Sequence, residues 1–252
     1  MSFLLVHGLG GDRQQPLELV GPALPEHATV FAPDLRAHGQ SPLLGGPGDF
    51  SLDAVAAEVA ESIRSAELAD EPITVIGISL GAAIALQLAR AGSLPIDRLV
   101  LLRPAFTDLS LPAHLGVFPV IGELLHRHGA ERGEELFRSS GVYRSILRHS
   151  RLGAAGVIEQ FRKPDAQQRA IRLVEFPRNR SFAPGERLDT PPATIIAAPR
   201  DPVHPQAVAE LWHYSLPGST LVTVPARDDG IAAYVDATRR AVREAVQASP
   251  RD

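Results

Sequence analysis

The chain has 252 residues, a net charge of −4 and a hydrophobic content of 44%, which fits one large globular domain or one domain carrying an insertion. Its mild acidity and lack of any Lys/Arg-rich run argue against a nucleic-acid partner, and no apolar stretch approaches the ~20 residues of a membrane span. With no cysteine, disulfides, thiolate metal sites and a cysteine nucleophile are excluded.

The first residues, Met1 to Gly8, carry no basic leader and run straight into a strand, so the expected location is the cytoplasm. In chain order, residues 3–6 predict a strand ended by His7-Gly8, and 29–32 a second ended by Pro33-Asp34. Residues 54–69 have helical spacing, with Ser51 placed to cap the N-terminus. Residues 73–78 form a strongly apolar strand, and 80–91 a helix apolar on nearly every face, as expected of one buried against a sheet. Further strands are predicted at 99–102, 193–198 and 221–224, with helices at 205–214 and 231–248. Six short apolar strands separated by helices predict an α/β fold: a mostly parallel sheet covered on both faces.

Between 104 and 192 this rhythm stops. Helical patches at 121–128, 134–138 and 166–174 occur without a strand-like run. The stretch is too long for a loop, so it predicts a helical cap inserted into a core made of 1–103 and 193–252.

Sites in such sheets form beyond the carboxyl ends of the strands. The third strand runs into Gly77-Ile78-Ser79-Leu80-Gly81 and then an Ala-rich helix. A G-x-S-x-G between strand and helix is a nucleophile elbow: the turn is sharp, the hydroxyl projects from the sheet edge, and small residues on either side let strand and helix pass. His7-Gly8-Leu9-Gly10-Gly11 follows the first strand and Asp34-Leu35-Arg36-Ala37-His38-Gly39 the second. Arg103-Pro104 follows the fourth, Asp201-Pro202-Val203-His204-Pro205 the fifth, and Ala226-Arg227-Asp228-Asp229-Gly230 the sixth.

Four of these motifs, at Ser79 and after the first, second and fifth strands, resemble the α/β-hydrolase superfamily in content and order, over essentially the whole chain apart from the cap. The first strand here looks like the family's third, so two N-terminal antiparallel strands common in the family have no counterpart. The resemblance implies Ser79 as nucleophile, Asp201 as triad acid, and an oxyanion hole from the backbone N–H groups of Leu80 and Leu9. It places the general base within several residues of Val224, where this chain has Ala226-Arg227-Asp228-Asp229-Gly230; its last histidine is His213.

A serine hydroxyl needs a base to take its proton, and three routes remain. His204 could serve from the acid loop; a cap histidine (His114, His126, His128 or His149) could reach down; or the triad is incomplete. Asp228 and Asp229 are the carboxylates that could fill the vacated space. Asp201 also reads as an Asx turn. Arg103 reads either as a contact for a substrate anion or as an ion-pair partner of Asp201 or Asp108. His7 is a second candidate substrate contact that also reads, like His38, as a structural ring within its turn. His126 and His128 have metal-ligand spacing only on a strand, so no metal and no cofactor is expected.

The expected function is serine-dependent hydrolysis of a small, largely apolar ester, thioester or lactone by Ser79, Asp201 and His204. Phe106, Phe118, Phe137, Tyr143, Phe161 and Phe176 would supply a substrate wall or the cap's own core. The rival readings are a cyclase, lyase or isomerase on the same oxyanion hole, and a non-catalytic binding protein. The only partner expected is a small-molecule substrate.

Overall fold

The computed structural model describes residues 1–66 and 71–248. Six strands, β1 (Ser2–Val6), β2 (Thr29–Phe31), β3 (Ile73–Ile78), β4 (Ile96–Leu102), β5 (Ala193–Ala197) and β6 (Thr220–Thr223), form one parallel sheet in the order β2-β1-β3-β4-β5-β6. The helices among the described residues are α1 (Gln14–Val20), α2 (Leu52–Ser65), α3 (Leu80–Ala91), α4 (Val117–Arg138), α5 (Gly141–His149), α6 (Arg151–Arg162), α7 (Ile171–Glu175), α8 (Gln206–Ser215) and α9 (Ile231–Gln247).

The strands are apolar at every central position because both faces are covered. Alternation still sorts the side chains. Leu4, Val6, Val75, Leu99, Leu101 and Ile195 face one core, shared with Val55 and Val59 of α2, most of α3, and Trp212 of α8. Phe3, Leu5, Ile76, Val100, Leu102 and Ile196 face the other, shared with Val20 of α1 and with Tyr234 and Val242 of α9. Burying a side chain of this kind contributes roughly 1.5–3 kcal/mol. The helix expected to be apolar all round, α3, is buried from Leu80 through Leu88.

Several boundaries differ from the sequence expectation. The helix expected over 54–69 spans Leu52–Ser65, capped by Ser51, whose Oγ accepts from Ala54 N at 3.2 Å; its expected end at Ala69 lies outside the described residues. β4 begins at Ile96 rather than at 99, since Asp97 and Arg98 sit in the strand with their polar ends toward the rim. The short α1, with Pro16 inside it, was not anticipated. Between β4 and β5 the described chain forms α4–α7 and no strand. The patches at 121–128 and 134–138 belong to one element, α4, broken at Gly129 (φ 72°, ψ −174°). The patch at 166–174 is helical only from Ile171. α5 and α6 escaped notice because Arg and His interrupt their apolar spacing.

Candidate active site

The site begins with the turn between β3 and α3. Ser79 has φ 56° and ψ −107°, a conformation costing about 1–3 kcal/mol that survives only where its surroundings fix it. Ser79 N donates to Leu102 O at 2.9 Å, and Ser79 O accepts from Ala82 N at 3.1 Å. The flanking glycines are demanded by contact. A Cβ on Gly77 would lie 2.2 Å from Gly81 O, and one on Gly81 would lie 2.1 Å from Val6 O. The glycine loop after β1 comes just as close, since a Cβ on Gly8 would be 3.3 Å from Ser79 Cβ.

The turn after β5 supplies the rest. Asp201 Oδ1 accepts from Val203 N at 3.0 Å and from His204 N at 3.1 Å, an Asx-type turn. The same turn swings the imidazole back over its own carboxylate. His204 Nδ1 lies 2.9 Å from Asp201 Oδ2, and His204 Nε2 lies 2.9 Å from Ser79 Oγ. Arg103, at the end of β4 with φ 44°, donates from Nη1 to Asp201 Oδ2 at 3.1 Å. Its guanidinium also sits 5.6 Å from the centre of the Tyr234 ring.

The electrostatics follow from this packing. Burial opposes the charge of Asp201, but His204, Arg103 and the turn amides outweigh it and hold the carboxylate far below the usual range. Burial lowers His204 below the ordinary imidazole value, and Asp201 offsets this only in part. His204 is therefore neutral near pH 7. With Asp201 ionised, Nδ1 carries the proton and Nε2 is free to accept one.

Above these groups opens a cleft of about 660 Å³. Leu9, Gly10, Arg103 and His204 line it from the sheet edge, and Phe118, Val157 and Gln160 from the helical segment. The remaining aromatics expected there pack elsewhere: Phe137 stacks with Tyr143 and Phe161, and Phe176 with Phe50.

Comparison with known proteins agrees with this geometry. The family model described as alpha/beta hydrolase fold matches residues 2–207. The chain belongs to the α/β-hydrolase family. A pimeloyl-[acyl-carrier protein] methyl ester esterase of Neisseria meningitidis is 28% identical over 231 residues, covering 87% of this chain and 83% of that protein. An uncharacterised protein of Mycobacterium tuberculosis is 27% identical over 236 residues, covering 87% and 67%. Among solved structures, a hydrolase from Pseudomonas aeruginosa superimposes with a TM-score of 0.73 at 22% identity, covering 98% of this chain and 90% of that one.

Within this α/β-hydrolase the structure separates the residues singled out from sequence. Ser79, Asp201, His204 and Arg103 converge. In the glycine loop, Gly8 N donates to Gln15 Oε1 at 2.7 Å, Gly10 N to His38 Nε2 at 3.0 Å and Gly11 N to Gly8 O at 2.9 Å. Among the described residues, the Leu9 amide is the one in this turn without an acceptor. Leu80 N opens α3, where no carbonyl a turn earlier can accept from it.

His7 does not reach the cleft. Its ring is fully buried, with Nδ1 donating to Gly8 O at 2.9 Å and Nε2 accepting from Leu35 N at 3.0 Å. Its place as a substrate contact is therefore corrected to one inside the turn. Arg103 takes Asp201, not Asp108, as its partner. Asp228 and Asp229 point away from Ser79. Asp228 accepts from Ser150 Oγ and, at 3.1 Å, from Leu152 N, while Asp229 pairs with Arg200. The nitrogens of His114 and His149 bond to Ala105 O and Ser145 O, and His126 and His128 are exposed.

The residues that sequence reasoning missed are Gln15, Gln160 and Arg227. Each lines the cleft, and none belongs to a motif. Among the described residues no group of three or more His, Cys, Asp or Glu could hold a metal ion, and no helix is long and apolar enough to cross a membrane.

Proposed function

We propose that this α/β-hydrolase is an esterase acting through Ser79, His204 and Asp201. The observation that carries the reading is the continuous chain Ser79 Oγ–His204 Nε2 and His204 Nδ1–Asp201 Oδ2, each contact 2.9 Å. In this mechanism neutral His204 removes the Ser79 proton as Oγ attacks the ester carbonyl. Ionised Asp201 holds the tautomer and stabilises the imidazolium that forms. The amides of Leu9 and Leu80, the latter at the positive end of α3, receive the developing oxyanion. Imidazolium then protonates the leaving alcohol, and water activated by the same imidazole releases the acid. The helical segment 104–192 acts as a cap, with Phe118 and Val157 as the apolar side of a small-ester cleft. The similarity to an enzyme named for ester hydrolysis supports the reaction class.

A fluorophosphonate probe and short p-nitrophenyl esters test the assignment. Labelling is expected at Ser79 and is expected to vanish in Ser79→Ala. His204→Ala should lower kcat/KM by a factor of about 10³ or more, as loss of a triad member does. Absence of both labelling and turnover in the native protein overturns the reading, and full turnover in His204→Ala overturns the assignment of the base.

A further inference from the structure

A second cavity, of about 680 Å³, lies on the far side of the glycine loop from the catalytic cleft. Gly10, His38, Lys163, Arg169 and Arg172 line it, and it shares Gly10, Gly11, Asp12, Gln14 and Lys163 with the cleft. Its cations outnumber its partners. Lys163 is paired with Asp12 at 3.1 Å and Arg13 with Asp34 at 2.9 Å. Arg169 has only the exposed Asp165 at 4.0 Å from its Nε, and its Nε and Nη1 are buried without a hydrogen-bond acceptor. Arg172 is 2% exposed, donates from Nη1 to Arg169 O at 2.6 Å, and leaves Nε buried without an acceptor. No carboxylate pairs with it among the described residues.

A buried guanidinium without a counter-charge is costly, and such groups are normally paired. Burial and the neighbouring charge of Arg169 pull Arg172 down to about 10. Across the cavity His38 is kept neutral by burial and by the charges of His7, Arg172 and Arg169. The missing component is an acceptor with negative charge, and a guanidinium pair matches the planar or tetrahedral oxygens of a carboxylate or phosphate.

We propose that Arg169 and Arg172 form a binding site for a small oxyanion, a carboxylate or phosphate, carried by the substrate whose ester end reaches Ser79. The link to the substrate rests on the esterase reading; the anion site itself does not. A substrate with an acidic end would run past Gly10, its anion between Arg169 and Arg172 and its ester at His204. The chemistry is that of an ester bearing a remote acidic group.

The test uses thermal unfolding of the full chain in phosphate or in adipate, against NaCl of equal ionic strength. One or both anions are expected to raise Tm above the NaCl control, and the stronger of the two identifies the acidic group. Arg172→Met and Arg169→Gln should each weaken the apparent affinity at least tenfold, while Arg172→Lys retains part of it. Without added anion, Arg172→Met should melt at or above the native temperature, because a residue of purely structural use would lower it. If Arg172→Met does not fold, the partly exposed Arg169→Gln carries the test.

Turnover of mono-p-nitrophenyl adipate relative to p-nitrophenyl hexanoate adds the substrate link. The ratio of kcat/KM values should fall about tenfold in Arg169→Gln. No rise in Tm with either anion, or an equal rise in both variants, overturns the anion site even if both esters are cleaved. Anion-dependent Tm shifts without cleavage of either ester support the site and overturn the esterase reading instead.

Discussion

Arg103 shows how one side chain can set both the charge and the geometry of a site. It ends β4 in a left-handed conformation and holds Asp201 Oδ2 at 3.1 Å. Its charge also helps keep His204 below the ordinary imidazole value. The acid limb of a kcat/KM profile reports the base of the free enzyme, so it should fall below about pH 6.5, the unperturbed histidine value. Arg103→Gln removes a cation that disfavours the imidazolium, so the limb should move to higher pH. A pH–rate profile of the two proteins checks this, and an unmoved limb would show that His204 is not the titrating group. Gly81 gives the second prediction at this scale. A methyl there meets Val6 O at 2.1 Å and His7 O at 2.8 Å, backbone atoms that cannot step aside. Gly81→Ala should therefore cost about 3 kcal/mol in denaturant unfolding, the upper range for overpacking. These residues were readable because each belongs to a motif with a strand before it. The proximity of His204 to Ser79 was not readable, since it depends on an Asx turn that reverses the chain within three residues. Arg169 and Arg172 read as charges on a cap helix, and only the fold buries them.

Elements divide the labour along the carboxyl edge. β3 and α3 present the serine, β4 presents Arg103, and the turn after β5 presents both Asp201 and His204. The turn after β6 has another task. Ser150 caps α6, its Oγ accepting from Gly153 N at 2.7 Å, and that hydroxyl donates to Asp228. Asp228 thus sits at the N-terminus of α6, where negative charge is favoured. Partial burial opposes its ionisation, but the bonds from Ser150 and from the amides of Leu152 and Arg151 hold it below the usual carboxylate range. Asp228→Ala should destabilise the start of α6 by about 1 kcal/mol, as loss of a cap does. Hydrogen exchange should quicken at 151–154, while the fluorophosphonate still labels Ser79. The core elements were legible because apolar runs and flanking glycines repeat with clear spacing. The helices of segment 104–192 were harder to see, because they bury narrow stripes against one another and break at Gly129.

At the scale of the whole molecule, the glycine loop is tied to the second strand through two stacked histidines. His7 and His38 have ring centres 4.9 Å apart, and both rings are buried. Burial pushes His7 down to about 4, and His38 lies well below its ordinary value through burial and neighbouring positive charge. The folded state therefore binds fewer protons than the unfolded chain between about pH 4 and 6.5. Stability is full above that window and declines as pH falls through it. His7 alone accounts for about 3 kcal/mol over the window at ~1.4 kcal/mol per unit. Urea unfolding from pH 7.5 to 4.5 should show the decline, and His7→Asn, which cannot titrate, should flatten it.

The turn from Asp201 to His204 has a further consequence. Acid and base are held together by amides of their own backbone, so their spacing does not depend on how two remote loops dock. Only one distance, from the imidazole to Ser79, is set by assembly of the sheet. The acid–base pair is in this sense a portable cassette, and everything after residue 204 is released from the reaction. The C-terminal strand and helix can then drift, lengthen or acquire new contacts without disturbing proton transfer, which makes that third of the molecule the natural ground for divergence in substrate choice.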